Sequence, residues 1–264
     1  MEEAEKYFKD RIHTIGKILE KDGHKFGEKD IHKLRVEIKR LRALFSLAEF
    51  TLSGFNGKDS LAVLKDIFKI AGELREAQLE TACLKRLEIS TSMPHYMKSL
   101  EKGMDRARSH FKKAADSKLM QAIDLLIIKV EPKLESIERA EVDAFLQDRS
   151  TAVTRLMQEE DLGNAALHEY RKQLKEFHYM SELGHDSPYS SETIYKLQEC
   201  LGNWHDCDVL IRKFRKILDG DEVDEGERIH LEFAIRNLER ENASVLRQLE
   251  EIRSGIRSKD KMEL

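Results

Sequence analysis

The sequence predicts an all-α fold, and three observations carry the prediction. Apolar residues recur at helical spacing through most of the chain. Only 3 Pro and 13 Gly punctuate 264 residues. Hydrophobic residues make up 40% and charged ones 36%, a balance that suits long amphipathic helices better than many-turned sheets.

Phe8, Ile12, Ile15 and Leu19 mark a first helix over about residues 3 to 21, ending before Gly23. A second is expected from Asp30, as its cap, to about Leu52, followed by the turn Ser53-Gly54-Phe55-Asn56-Gly57. A third starts near Asp59 or Ser60, carries Leu61, Leu64, Phe68, Ala71 and Leu74 on one face, and extends to about Glu88. Gly72 lies inside it, where a glycine costs about 1 kcal/mol relative to Ala, so Ala71-Gly72 marks a close helix crossing or a backbone approach to a ligand. Pro94 suits the first position of a fourth helix, kinked near Asp116-Ser117 and running to Val130 before Glu131-Pro132. From Pro132 the pattern restarts: a helix to about Glu160, a break at Leu162-Gly163-Asn164, a helix from Ala165 to Leu183, and a break at Gly184 to Pro188. Helices over Tyr189 to Leu218 and Val223 to Arg257 complete the chain.

The second helix carries the chemistry. At about 100° per residue, Leu34, Ile38, Leu41, Phe45 and Ala48 form one apolar face, and His32, Arg35, Lys39 and Arg42 form a second stripe at its border. Arg40 points away from that stripe on the same wheel. Taken alone, a charge run is ordinarily a solvated face. Five Lys/Arg against the single acid Glu37 within residues 32 to 42 repel one another, and a multivalent anion lying across them relieves the repulsion. The chain as a whole has a net charge of −4, so an anion site arises from local segregation and not from a basic protein.

Other classes find less support. Cys83, Cys200 and Cys207 form no CxxC pair and cannot pair off evenly, which argues against a disulfide framework and fits a reducing cytoplasm. The acidic start Met1-Glu2-Glu3-Ala4-Glu5-Lys6 lacks a signal core, and the densest apolar run, Leu125 to Ile128, is far short of a membrane span. Trp204-His205-Asp206-Cys207-Asp208 holds metal-capable side chains without zinc or iron spacing; Cys200 and Cys207 suit a buried face, and His185-Asp186 a loop. No metal and no cofactor is expected. No Gly-rich phosphate loop or nucleophile motif is present.

The chain also repeats itself. Ile31-His32-Lys33-Leu34-Arg35 with Lys39 answers Leu167-His168-Glu169-Tyr170-Arg171 with Lys175, and Ala71-Gly72-Glu73-Leu74-Arg75-Glu76 answers Leu201-Gly202-Asn203-Trp204-His205-Asp206 at nearly the same offset. A duplicated four-helix unit follows, residues 1–130 and 131–264, with the basic helix second and the glycine-bearing helix third in each copy.

His32, Arg35, Lys39, Arg40 and Arg42 on one helix, the degenerate second copy, and the element Leu201, Gly202, His205, Asp206, Asp208 resemble the CHAD domain, the conserved-histidine α-helical family. The resemblance covers nearly the whole chain. It implies one domain of two pseudo-symmetric four-helix bundles around a basic central cavity that binds inorganic polyphosphate without turning it over, in the cytoplasm and at polyphosphate granules. Carried over residue by residue, it assigns binding to His32, Arg35, Lys39, Arg40, Arg42 and Arg75 in the first copy, and to His168, Arg171, Lys175, His178 and His205 in the second. The second copy departs from the family's pattern, with Glu176 and His178 standing where arginines are usual, so the first should dominate. The alternatives are a metal-dependent phosphohydrolase using His, Asp and Cys, and a nucleic-acid or protein scaffold. Aromatics are only 7%, with none inside the first basic stripe, which makes nucleic acid the lesser fit.

Overall fold

The structure is a computed structural model and describes residues 3–21, 26–159, 162–183, 191–220 and 223–260. Every regular element among the described residues is helical: α1 Glu3–Leu19, α2 Glu28–Thr51, α3 Gly57–Leu61, α4 Lys65–Arg86, α5 Pro94–Ala114, α6 Ser117–Leu134, α7 Arg139–Gln158, α8 Asn164–Ser181, α9 Ser191–Leu218 and α10 Glu225–Asp260. Short 3₁₀ turns, Ala62–Leu64 and Ser90–Ser92, precede α4 and α5. None of the described helices is long and apolar enough to cross a membrane.

The chain divides into two compact units, each assembled from three stretches. Unit 1 comprises 1–78, 101–148 and 179–186; unit 2 comprises 79–100, 149–178 and 187–264. In unit 1, α1 packs on α2 and α6. The apolar faces read from the sequence are the ones buried: Phe8, Ile12, Ile15 and Leu19 on α1, and Leu34, Ile38, Leu41, Phe45 and Ala48 on α2. Each large side chain so buried contributes about 1.5–3 kcal/mol, so this seam fixes which face of α2 is left for its cations. Phe8 and Phe55 both lie against Phe45, with ring centroids 6.0 and 5.5 Å away.

In unit 2, α9 lies along α10, and their core includes Leu84, Met93, Phe214, Leu231 and Leu238. Two buried charges on α10 close the ends of other helices. The Glu227 carboxylate accepts the N–H groups of His95 (2.7 Å) and Tyr96 (2.9 Å) at the start of α5, where backbone donors have no partner within the helix. Arg253 donates to the carbonyls of Met157 (3.1 Å) and Glu159 at the end of α7, the complementary arrangement.

Several boundaries differ from the sequence reading. Asp30 is not the cap of α2: Gly27 is, and Asp30 sits in the first turn with its carboxylate accepting the Gly27 N–H (3.1 Å) and the Lys21 ammonium (2.6 Å). Those two bonds hold its carboxyl below the usual range, the Lys21 contact being the larger cause. The third helix begins at Gly57, capped by Asn56, and the 3₁₀ turn then separates it from α4. The kink at Asp116 is a full break, because Asp116 caps a new helix by accepting the Leu119 N–H at 2.9 Å. Pro132 does not end α6. It falls in the last turn, where its missing N–H leaves only the carbonyl of the 71% exposed Ile128 to water. Gly23, Glu160, His185-Asp186, the rest of Gly184 to Pro188, Tyr189 and Met1-Glu2 lie outside the described residues.

Candidate functional site

In unit 1 the two motif-bearing helices, α2 and α4, meet through Arg35. Its guanidinium lies 4.5 Å from the Phe68 ring centroid, and its Nη1 donates to the Phe68 carbonyl at 3.0 Å. The same Nη1 would stand 2.7 Å from a Cβ built on Gly72. The interior glycine thus marks a close approach, and what approaches is a guanidinium stacked on α4. Arg42, two turns further along α2, reaches the same ring, its guanidinium carbon 5.2 Å from the centroid. Arg75 follows Gly72 by one turn on the same face of α4 and is half-buried. Among the described residues, neither Arg42 nor Arg75 has an acidic partner. His32 is exposed and Lys39 half-buried on α2. Arg40 goes elsewhere, as its position on the wheel requires: its Nη2 is 2.9 Å from Glu182, its Nη1 3.9 Å from Glu37, and it lies over Tyr179. Glu37, the one acid in the stretch, is buried between Arg11 and Arg40 and does not neutralise the stripe.

In unit 2, α8 meets α9 through His168. Its ring stands edge-on to Trp204 (4.7 Å between centroids) and His205 (5.3 Å), and its Nε2 is 3.5 Å from Asp208. Arg212 holds that carboxylate with Nε at 3.1 Å and Nη2 at 2.8 Å. Arg171, Lys175 and His178 are half-buried on α8. Burial, and then the neighbouring Arg171, push the Lys175 ammonium down to about 8, with Asp206 opposing. Glu176, which stands where the repeat wants a cation, is taken up by Arg149 at 3.1 Å. Gly202 has open space where a Cβ would sit, so nothing like the Arg35 stack forms there. The two anchors of each repeat are therefore brought together within their own unit, with Arg42 and Arg75 lacking acidic partners among the described residues of unit 1 and an acid-balanced cluster in unit 2.

A family model described as the CHAD domain matches residues 18–215. The chain belongs to the CHAD domain family. Two solved structures share its fold: the CHAD domain from the plant Ricinus communis, at 15% identity and a TM-score of 0.70 over 97% of this chain and 89% of that one, and PptA from Streptomyces chartreusis, at 14% identity and a TM-score of 0.70 over 95% and 98%. No curated protein matches the chain.

Two components of this CHAD chain were missed by the sequence reading as site residues. Phe68 was placed on the apolar face of its helix, yet its ring is the platform for Arg35 and Arg42; its position four residues before Gly72 was the available signal. Arg212 stands four residues after Asp208, the ordinary spacing of a helical ion pair.

Lys175 gives a test that needs no ligand. Its folded pKa of about 8 lies below its usual 10.5, so between those values the unfolded chain binds the proton that the folded protein has lost, and stability rises with pH across that window. Replacing Lys175 by Met should remove this rise and leave the protein at least as stable at pH 7. Thermal melts of both proteins from pH 7 to 10.5 check it; parallel pH profiles would show that the ammonium is not held at a desolvation cost.

Proposed function

We propose that the protein binds inorganic polyphosphate along its basic helical stripes and does not turn it over. The observation that carries this reading is the arrangement in unit 1: two stripe arginines laid on one Phe68 ring, with Arg42 and Arg75 left without acidic partners among the described residues. Polyphosphate is a flexible chain of repeated charge with no distinctive edge to read, so its recognition is electrostatic and repetitive. Guanidinium forks suit paired phosphate oxygens, and Lys supplies point charges. Side chains at i, i+3, i+7 and i+10 on α2 recur about every 5 Å along the axis, a rail for such a chain. His32, Arg35, Lys39, Arg42 and Arg75 form the stronger set. His168, Arg171, Lys175, His178 and His205 form the weaker one, and Arg40 serves the fold. The duplication into residues 1–130 and 131–264, a basic cavity lined by both copies, and a cytoplasmic location at polyphosphate granules belong to this reading.

Two features disfavour the alternatives. Among the described residues, no group of three or more His, Cys, Asp and Glu side chains is placed to hold a metal ion. The ring beside the stripe, Phe68, already carries the Arg35 and Arg42 guanidinium groups, 4.5 and 5.2 Å from its centroid, which makes it a poor platform for base stacking. Titration with long-chain polyphosphate, orthophosphate and single-stranded DNA over a range of salt tests the proposal. Polyphosphate should bind best, with log affinity falling against log salt by about 0.7 per phosphate contact, and its length distribution should be unchanged after incubation with or without divalent metal. Shortened polymer would establish an enzyme. Equal affinity for DNA would establish a general nucleic-acid binder.

A further inference from the structure

The geometry points to a second site in unit 1: a pocket for a small amphipathic organic anion, with an apolar body and one carboxylate or phosphate headgroup. It lies between α2 and the segment from α3 to the start of α4, with a volume of about 460 Å³, within the range of about 300–1,000 Å³ typical of small-molecule sites.

Its floor is made of Ile38, Phe45 and Leu64, all 2% exposed or less. A phosphate chain cannot use that surface, since setting charge against it strips water and returns no hydrogen bond. The rim is cationic. Arg42, Lys58 and Lys65 line the pocket, and among the described residues none has an acidic partner. The two acids that also line it are already engaged: Glu49 accepts the Gly57 N–H at 2.7 Å, and Asp59 accepts from the Asn56 side-chain amide at 2.8 Å. A purely apolar ligand would leave the three cations unused. A ligand with an apolar body and an anionic head uses both parts.

The local chain keeps the pocket open. Glu49 ties the start of α3 to α2, and Gly57 lets the two come close there, since an added Cβ would lie 2.9 Å from the Phe45 Cβ. The 3₁₀ turn then redirects the chain and leaves Ala62, a short exposed side chain, on the pocket wall. A large residue at position 62 would fill the space without entering the core.

The site shares Arg42 and its Phe68 platform with the polyphosphate stripe, and its other lining residues stand apart from that reading. Calorimetric titrations with decanoate and decanol test it on the wild-type protein, Ala62→Trp and the double variant Lys58→Gln/Lys65→Gln. Decanoate should bind with one-to-one stoichiometry and decanol about tenfold or more weaker. Ala62→Trp should weaken decanoate about tenfold or more while leaving polyphosphate titrations unchanged. The double variant, confined to exposed side chains, should weaken decanoate and not decanol, and it decides the matter if Ala62→Trp fails to fold. No saturable decanoate binding, equal affinity for decanol, or decanoate affinity untouched by Ala62→Trp would each overturn the inference.

Discussion

Replacing Arg42 and Arg75 together by Ala is expected to lower polyphosphate affinity between about a hundredfold and about ten-thousandfold, each charge-assisted contact contributing about 1.5–3 kcal/mol. The melting temperature of the free protein should barely move. Arg42 loses only a cation–π contact with Phe68, about 0.5–1 kcal/mol at an exposed site, and neither arginine has an acidic partner to strand among the described residues. Arg35 is the wrong residue for this test, because its Nη1 also bonds the Phe68 carbonyl and its loss would disturb the α2–α4 contact itself. Removing two cations of the unit 2 stripe, Arg171 and Lys175, should cost less, on the order of tenfold. Asp206 and Asp208 already share the field of that cluster, and burial has weakened the proton affinity of Lys175. Equal losses from the two pairs, measured by titration beside thermal melts, would show that the acids of unit 2 do not discount its cations.

What could be read from the sequence was whatever repeats within a helical turn or two. The apolar face of α2 was legible because Leu34, Ile38, Leu41, Phe45 and Ala48 recur at one period, and burial follows that period. The border position of Arg35 and Arg42 was legible for the same reason, as was the divergence of Arg40. Gly72 announced a close approach without naming its occupant, because the guanidinium comes from another helix. Long-range charge pairing was not legible. Arg40 finds Glu182 at a separation of 142 residues, and Glu176 finds Arg149 from a different helix. Those partners decide whether a charge in the stripe is available to a ligand: Glu37 and Glu176 both looked like subtractions from the basic field, and both are taken up by arginines of the fold. Arg253 was hidden more completely, since nothing around it on α10 records that the carbonyls at the end of α7 would lie beside it. Helix ends failed where a side chain one turn inside, such as Asp30, does work that the pattern assigns to the cap.

The largest loss of stability is expected from Lys213→Met. Glu80 is fully buried in unit 2; its Oε2 receives the Lys213 ammonium at 2.6 Å and its Oε1 accepts the Tyr96 hydroxyl. The pair is unevenly exposed, with the Lys213 side chain 35% accessible and that of Glu80 0%. Removing the lysine therefore strands a carboxylate that cannot reach water, at a cost of about 3–5 kcal/mol, a large share of the roughly 5–15 kcal/mol that holds a domain folded. Removing the acid is gentler. In Glu80→Gln the amide oxygen still accepts from Tyr96, and the freed ammonium can turn toward solvent. The double variant Glu80→Gln/Lys213→Met should then be more stable than Lys213→Met alone, because replacing both members of a buried pair leaves no uncompensated charge. Denaturant unfolding of the three variants checks the order. If Lys213→Met costs less than about 1 kcal/mol, water reaches Glu80 despite its burial, and the pair is holding no more than a surface salt bridge would.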